Sequence, residues 1–99
     1  IGHSERMIEK DGFKVIVDTN GSLLTDMDLL VRLKALRQTL AQEENLPAYC
    51  VLTNDVLSRL ATDKPTTREE FVEIKGIGEQ RYKRFGERFI AEIKKHIES

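Results

Sequence analysis

Two rows of apolar residues at helical spacing set the terms on which this chain can fold. Leu29, Leu33, Leu36 and Leu40 recur every three or four residues, and so do Tyr82, Phe85, Phe89, Ile93 and Ile97. Each row lays an apolar stripe along one side of a helix, and Arg32, Lys34 and Arg37 stay off the first stripe. A stripe of this kind has to be covered by another element, so a chain with one near each end of its last three quarters is expected to close into an all-α bundle. Its 99 residues suit one core rather than two.

The punctuation between the rows cuts the chain into about five helices. The first is expected to begin at the box Thr25-x-x-Asp28 and to stop near Asn45, because Pro47 cannot continue a helical ladder and biases Leu46 away from it. Leu46 to Leu52 is an apolar connector. Thr53 caps a helix carrying Val56, Leu57, Leu60 and Ala61, which Thr62-Asp-Lys-Pro65 ends. Thr67-x-x-Glu70 is a complete capping box opening a short helix with Phe71, Val72 and Ile74 on its apolar face. Gly76 and Gly78 interrupt, and the last row follows with Gly86 inside it, either a tolerated weak point or a kink between two helices.

Residues 1–22 read differently, as an N-terminal arm, tag remnant or linker ahead of a helical domain at 23–99. Gly2-His-Ser4 has the look of a cleaved tag. Phe13 to Val17 is a β-branched run followed by the turn signal Asp18-Thr-Asn-Gly21, which suggests a short extended arm or a lone strand. Asn20-Gly-Ser22 also fits a glycosylation acceptor, but a turn is the better reading without a secretory signal.

Charged residues make up 33% of the chain, and a net charge of -1 argues against a polycationic coat for nucleic acid. The average hides an uneven distribution: residues 75–99 hold 7 basic and 4 acidic side chains, so positive charge gathers in the last quarter. No apolar run approaches a membrane span, and the single cysteine, Cys50, permits neither an internal disulfide nor a multi-cysteine zinc site. A monomer in a reducing compartment, the bacterial cytosol or nucleoid, away from membranes, is the expectation.

Catalytic chemistry finds little purchase. No serine or cysteine nucleophile has a local base; His3 stands in tag-like sequence, and His96 near a helix end, where a cation meets the dipole favourably. Cys50 reads as a small buried hydrophobe. The pairs Asp26/Asp28 and Glu69/Glu70 suit helix N-termini, and Glu43/Glu44 reads as solvated. No phosphate loop, metal-ligand spacing or dinucleotide fingerprint occurs, so neither catalysis by this domain alone nor a cofactor nor a metal is expected.

The informative stretch is Lys75-Gly76-Ile77-Gly78 with Arg81, Lys83 and Arg84 after it. Two glycines let the backbone turn at positive φ and bring the first amides of the next helix outward, where a nucleic-acid phosphate fits. Arg81, Lys83 and Arg84 lie within two helical turns of that end. The same spacing also serves as a plain turn between packed helices, and the sequence leaves both readings open.

At this point the residues resemble a known family, the HRDC domain, the helicase-and-RNase-D C-terminal module, over Leu29 to Ile97. The resemblance rests on an ordered set: Leu33-Lys-Ala-Leu-Arg37, the loop Leu46-Pro-Ala-Tyr49 with Val51 and Asn54-Asp-Val-Leu57, Pro65 to Phe71, Ile74-Lys-Gly-Ile-Gly78 and Arg84-Phe-Gly86. It implies a five-helix bundle related to SAM and helix-hairpin-helix folds, serving as an auxiliary domain of a RecQ-type ATP-dependent DNA helicase in repair and recombination. It also implies weak, sequence-independent binding of single-stranded or partially duplex DNA, with the helicase core of the same parent chain as a further partner. Tyr49 matches a position where such modules carry an aromatic residue implicated in single-strand binding. Its ring could instead plug the core with its hydroxyl at the rim. Glu79 and Tyr82 depart from the helix-hairpin-helix pattern, the first by placing an acid where phosphate would sit, the second by bulk. A protein-interaction module on the same fold, or an RNA-binding domain of an RNase D-type exonuclease, are the alternatives.

Overall fold

A computed structural model describes residues 6–10 and 12–98. The tag-like Gly2-His-Ser4 lies outside the described residues. In chain order the elements are strands β1 (Arg6–Lys10) and β2 (Phe13–Val17) and helices α1 (Met27–Glu44), α2 (Ala48–Val51), α3 (Asn54–Asp63), α4 (Arg68–Val72) and α5 (Gly78–Arg81). A π-helical turn (Tyr82–Gly86) leads directly into α6 (Glu87–Glu98). Because α5, the π turn and α6 run on without a break, the helical part consists of five successive segments, as the punctuation implied.

Local chemistry places most of the helix ends. Thr53 accepts a hydrogen bond from the Val56 amide, and Thr67 from the Glu70 amide, so both expected caps form. Glu70 completes its box one residue further back than the usual pattern, accepting from the Thr66 amide at 3.1 Å. Asn45 and Lys64 end α1 and α3 in the left-handed conformation. The start of α1 differs from expectation. Its cap is Asp26, whose carboxylate accepts from the Leu29 amide at 3.1 Å. Thr25 is occupied elsewhere: its hydroxyl accepts from the Ile16 amide at 2.8 Å and donates to Thr62, which in turn donates to the Ser58 carbonyl.

The two apolar rows meet as expected. Leu29, Leu33 and Leu40 share one core with Phe85, Phe89 and Ile93, and Leu57 and Leu60 of α3 and Phe71 of α4 belong to it as well. Leu36 and Tyr82 are only half-buried, and Ile97, one turn beyond the core, is exposed. In their place Arg37 goes inside at 8% exposure, because its guanidinium donates to the Leu52 carbonyl at 3.0 Å and to Asn54 Oδ1 at 2.7 Å.

The N-terminal arm is not a lone strand. Arg6–Lys10 pairs antiparallel with Phe13–Val17, Arg6 opposite Val17 and Lys10 opposite Phe13, around a turn where Gly12 takes φ +83°. Charged residues flank Met7 and Ile8 in β1, so its sequence carries no alternating apolar signal of a strand. β1 is exposed throughout, whereas Phe13, Val15, Ile16 and Val17 of β2 are buried, with Phe13 and Val15 part of the main core. The following turn forms as expected, with Asp18 Oδ1 accepting from the amides of Asn20 and Ser22.

Candidate nucleic-acid interface

After α4 the chain makes two tight steps, Ile74 N–H to Phe71 O and Ile77 N–H to Ile74 O, each 3.2 Å. Gly76 then sits at φ +100° and Gly78 at φ +69°. At Gly76 a side chain is excluded twice over, since a Cβ would also lie 2.9 Å from Val56 Cγ2. At Gly78 only the backbone angle demands glycine, because the space beside it is open. α5 starts here, no side chain caps it, and its opening amides from Gly78 to Gln80 have no acceptor one turn back.

Ile77 belongs to the turn differently from the way its position suggested. Its side chain is 4% exposed and its amide is already bonded, so it anchors the turn in the core and presents no free amide to a phosphate. Arg81 is also turned inward: Nε donates to the Val51 carbonyl at 3.2 Å and one terminal nitrogen donates to the Gly76 carbonyl at 3.3 Å. Lys75 and Lys83 are exposed, and among the described residues no carboxylate lies within ion-pair distance of either. Arg84 is exposed over the Phe85 ring and pairs with Glu44 at 2.9 Å.

Both departures from the helix-hairpin-helix pattern are accommodated. The Glu79 carboxylate pairs with Arg68 at 2.6 Å. Tyr82 packs edge-on to Phe71, with ring centroids 6.0 Å apart, and lies over Gly86, where any Cβ would collide with its ring. Gly86 is thus neither a mere weak point nor a simple kink; the π turn passes a bulky ring across a position that only glycine leaves open.

The connector Leu46 to Leu52 contains a single helical turn, α2, whose Val51 is buried and is followed by buried Leu52. Tyr49 points the other way and is 66% exposed, which decides against the plugged alternative. Cys50 is only partly buried and is a free thiol. It lies with Ile77, Gly78, Arg81 and Arg84 along a depression of about 480 Å³ between α2 and the glycine turn. The fold therefore brings α2, through Cys50, and the turn bearing open amides together along one groove, which Glu79 also lines.

Sequence reasoning missed the ion pairs around this groove. Arg68 with Glu79, Arg84 with Glu44 and Arg88 with Glu43 join residues far apart in the chain, and the pair Glu43/Glu44 is matched with arginines rather than simply solvated. Elsewhere, Glu70 is held below its usual range, chiefly by the Thr66 amide. Among the described residues no cluster of three or more potential metal ligands occurs, and no helix is long and apolar enough to cross a membrane.

Comparison with known proteins adds an independent line. The family model for the HRDC domain matches residues 26–93. The chain is similar to the ATP-dependent DNA helicase RecQ of Pasteurella multocida, 39% identical over 71 residues, which cover 72% of this chain and 11% of that protein. It is also similar to the ATP-dependent DNA helicase UvrD2 of Mycobacterium tuberculosis, 38% identical over 61 residues, covering 62% of this chain and 9% of that one. The solved structure of D. radiodurans RecQ HRDC domain 3 superposes with a TM-score of 0.73 at 35% identity, over 75% of this chain and 97% of its own. The chain thus spans about a tenth of the length of the curated relatives it matches.

Proposed function

Because this chain belongs to the HRDC domain family, we propose that it is an auxiliary nucleic-acid-binding domain of a RecQ-like, ATP-driven DNA helicase, with no catalysis of its own. It takes single-stranded or partially duplex DNA without regard to sequence. Tyr49 stacks one base, a contact of about 1–3 kcal/mol open to any base because each has a π-face. The amides from Gly78 onward receive a phosphate, and Lys75, Lys83 and Arg84 neutralise neighbouring ones. With roughly three cations engaged, the single-strand salt slope is about 2 in log-log terms, which describes a small footprint and weak affinity. Weak grip suffices when a helicase core in the same chain supplies the effective concentration.

The observation that carries this reading is the exposed Tyr49 ring on α2, next in sequence to Cys50, which lines a groove shared with the uncapped start of α5. A fluorescence-anisotropy titration of labelled oligo-dT at low salt tests it. Tyr49→Ala is expected to weaken binding, and Lys75→Ala with Lys83→Ala to weaken it and flatten the salt slope. Wild-type affinity in all of these variants would sink the proposal.

A second reading is a protein-interaction surface, favoured by one observation: Arg68, Arg84 and Arg88 are already matched with carboxylates, and one of these pairs holds Arg84 of the groove. It requires that oligo-dT show no salt-sensitive binding at all.

A further inference from the structure

The single turn α2 is too short to hold itself in shape, since an isolated helix needs several turns before its hydrogen bonds outweigh the cost of ordering. Its last carbonyls have no partner within the helix. The structure fills two of them in succession with guanidinium groups from different helices: Arg37 of α1 takes the Leu52 carbonyl, and Arg81 of α5 takes the Val51 carbonyl. Arg81 then does something Arg37 does not. Its second bond goes to the Gly76 carbonyl, so one planar group spans the loop that carries Tyr49 and the turn that exposes the amides.

We infer that Arg81 is a positioning residue that locks the Tyr49 loop to the Gly76–Gly78 turn, making the two walls of the groove one binding platform, and that it is not a phosphate contact. This rests on the binding reading above. A strand that stacks on Tyr49 meets the turn amides in the same placement only while the tie holds. The guanidinium suits the task because its donors are fixed in one plane with a set spacing, whereas lysine keeps the charge but offers a single nitrogen on a flexible stem. Charge and geometry can therefore be separated by substitution.

The experiment compares Arg81→Lys and Arg81→Ala with the 99-residue chain, first without DNA. In amide-resolved NMR spectra both variants are expected to move the signals of residues 48–52 together with those of 76–78. In oligo-dT titrations both are expected to weaken binding by about tenfold, the size of one lost charge-assisted hydrogen bond, with the salt slope unchanged. Arg81→Lys combined with Tyr49→Ala should cost less than the two changes separately. Wild-type affinity in Arg81→Lys, with a slope lower by about 0.7 in Arg81→Ala, would make Arg81 a phosphate contact and overturn the inference. Signals moving in only one of the two segments would overturn it as well. If the unaltered chain binds no oligo-dT, linked movement of both segments upholds the tie while the binding reading falls.

Discussion

Asp26 at the head of α1 accepts a hydrogen bond from His96 Nε2 in the last turn of α6, 2.9 Å away across 70 residues of sequence. The other ring nitrogen, Nδ1, lies 3.2 Å from a terminal nitrogen of Arg32. Lys64, where α3 ends, reaches the same carboxylate at 3.3 Å, and Arg32 also pairs with Glu92. One acid thus gathers the start of α1, the end of α3 and the end of α6, a role beyond the favourable place at a helix N-terminus that the sequence suggests for it.

Acid should find this junction first. Burial disfavours the ionised form of Asp26, but the Leu29 amide, His96 and Lys64 together outweigh it and hold the carboxyl at about 2, against 3.8 when unfolded. The unfolded chain takes the proton earlier as pH falls, so the stabilisation is complete above 3.8 and drains away toward 2, amounting to about 2 kcal/mol. Urea unfolding from pH 5 down to 2 should show the wild-type chain losing about 2 kcal/mol more than Asp26→Asn, which keeps a capping side chain but cannot ionise. Parallel curves for the two would refute the assignment.

The two turn glycines should answer differently to alanine. Gly76→Ala has both an unfavourable φ and the Val56 methyl to contend with, and about 3 kcal/mol of destabilisation is expected. Gly78→Ala meets only the backbone penalty, about 1 kcal/mol, and should stay folded. Equal losses in chemical denaturation would mean that the contact with Val56 is unimportant.

Removing the acid opposite Arg84 should help a polyanion. Glu44→Gln frees the Arg84 guanidinium, and if the proposed site is correct oligo-dT binds about two- to threefold tighter at low salt, in keeping with the small worth of an exposed pair. The gain should vanish at high salt. No change at low salt would place Arg84 outside the strand's path.

At the π turn, Gly86→Ala drives a methyl group into the Tyr82 ring and should cost about 2–3 kcal/mol. Tyr82→Ala removes the obstacle, so the double variant should be more stable than the two separate losses imply. Strict additivity in a double-mutant cycle would show that the ring yields elsewhere.

What could be read in the sequence was governed by short range. Caps at Thr53 and Thr67, the stop before Pro47 and the glycine turn all follow from residues within a few positions of one another, and all stand in the structure. The features that short range does not reveal share the opposite property. Thr25 was a sound cap by its neighbours, but Ile16 and Thr62, brought in from other elements, claim its hydroxyl. Arg37 reads as a surface residue, and only the Leu52 carbonyl and Asn54 Oδ1, both accepting from its guanidinium, draw it inside. For Arg81 the place after the glycines suggests phosphate, and nothing near it in sequence announces its hydrogen bond to the Val51 carbonyl, 30 residues away. Tyr49 lay undecided because an aromatic in an apolar loop has two stable destinations, and only the packing of Val51 beside it chooses.

The hairpin precedes residues 26–93, the part shared with the family, yet Val15 and Ile16 are sealed from water and Phe13 lies under Lys34. Anyone trimming the gene at the family's edge would strip away a wall of the house and leave its beams in the rain. The smallest piece worth expressing therefore starts no later than Arg6, so that β2 keeps both its place against α3 and its pairing with β1.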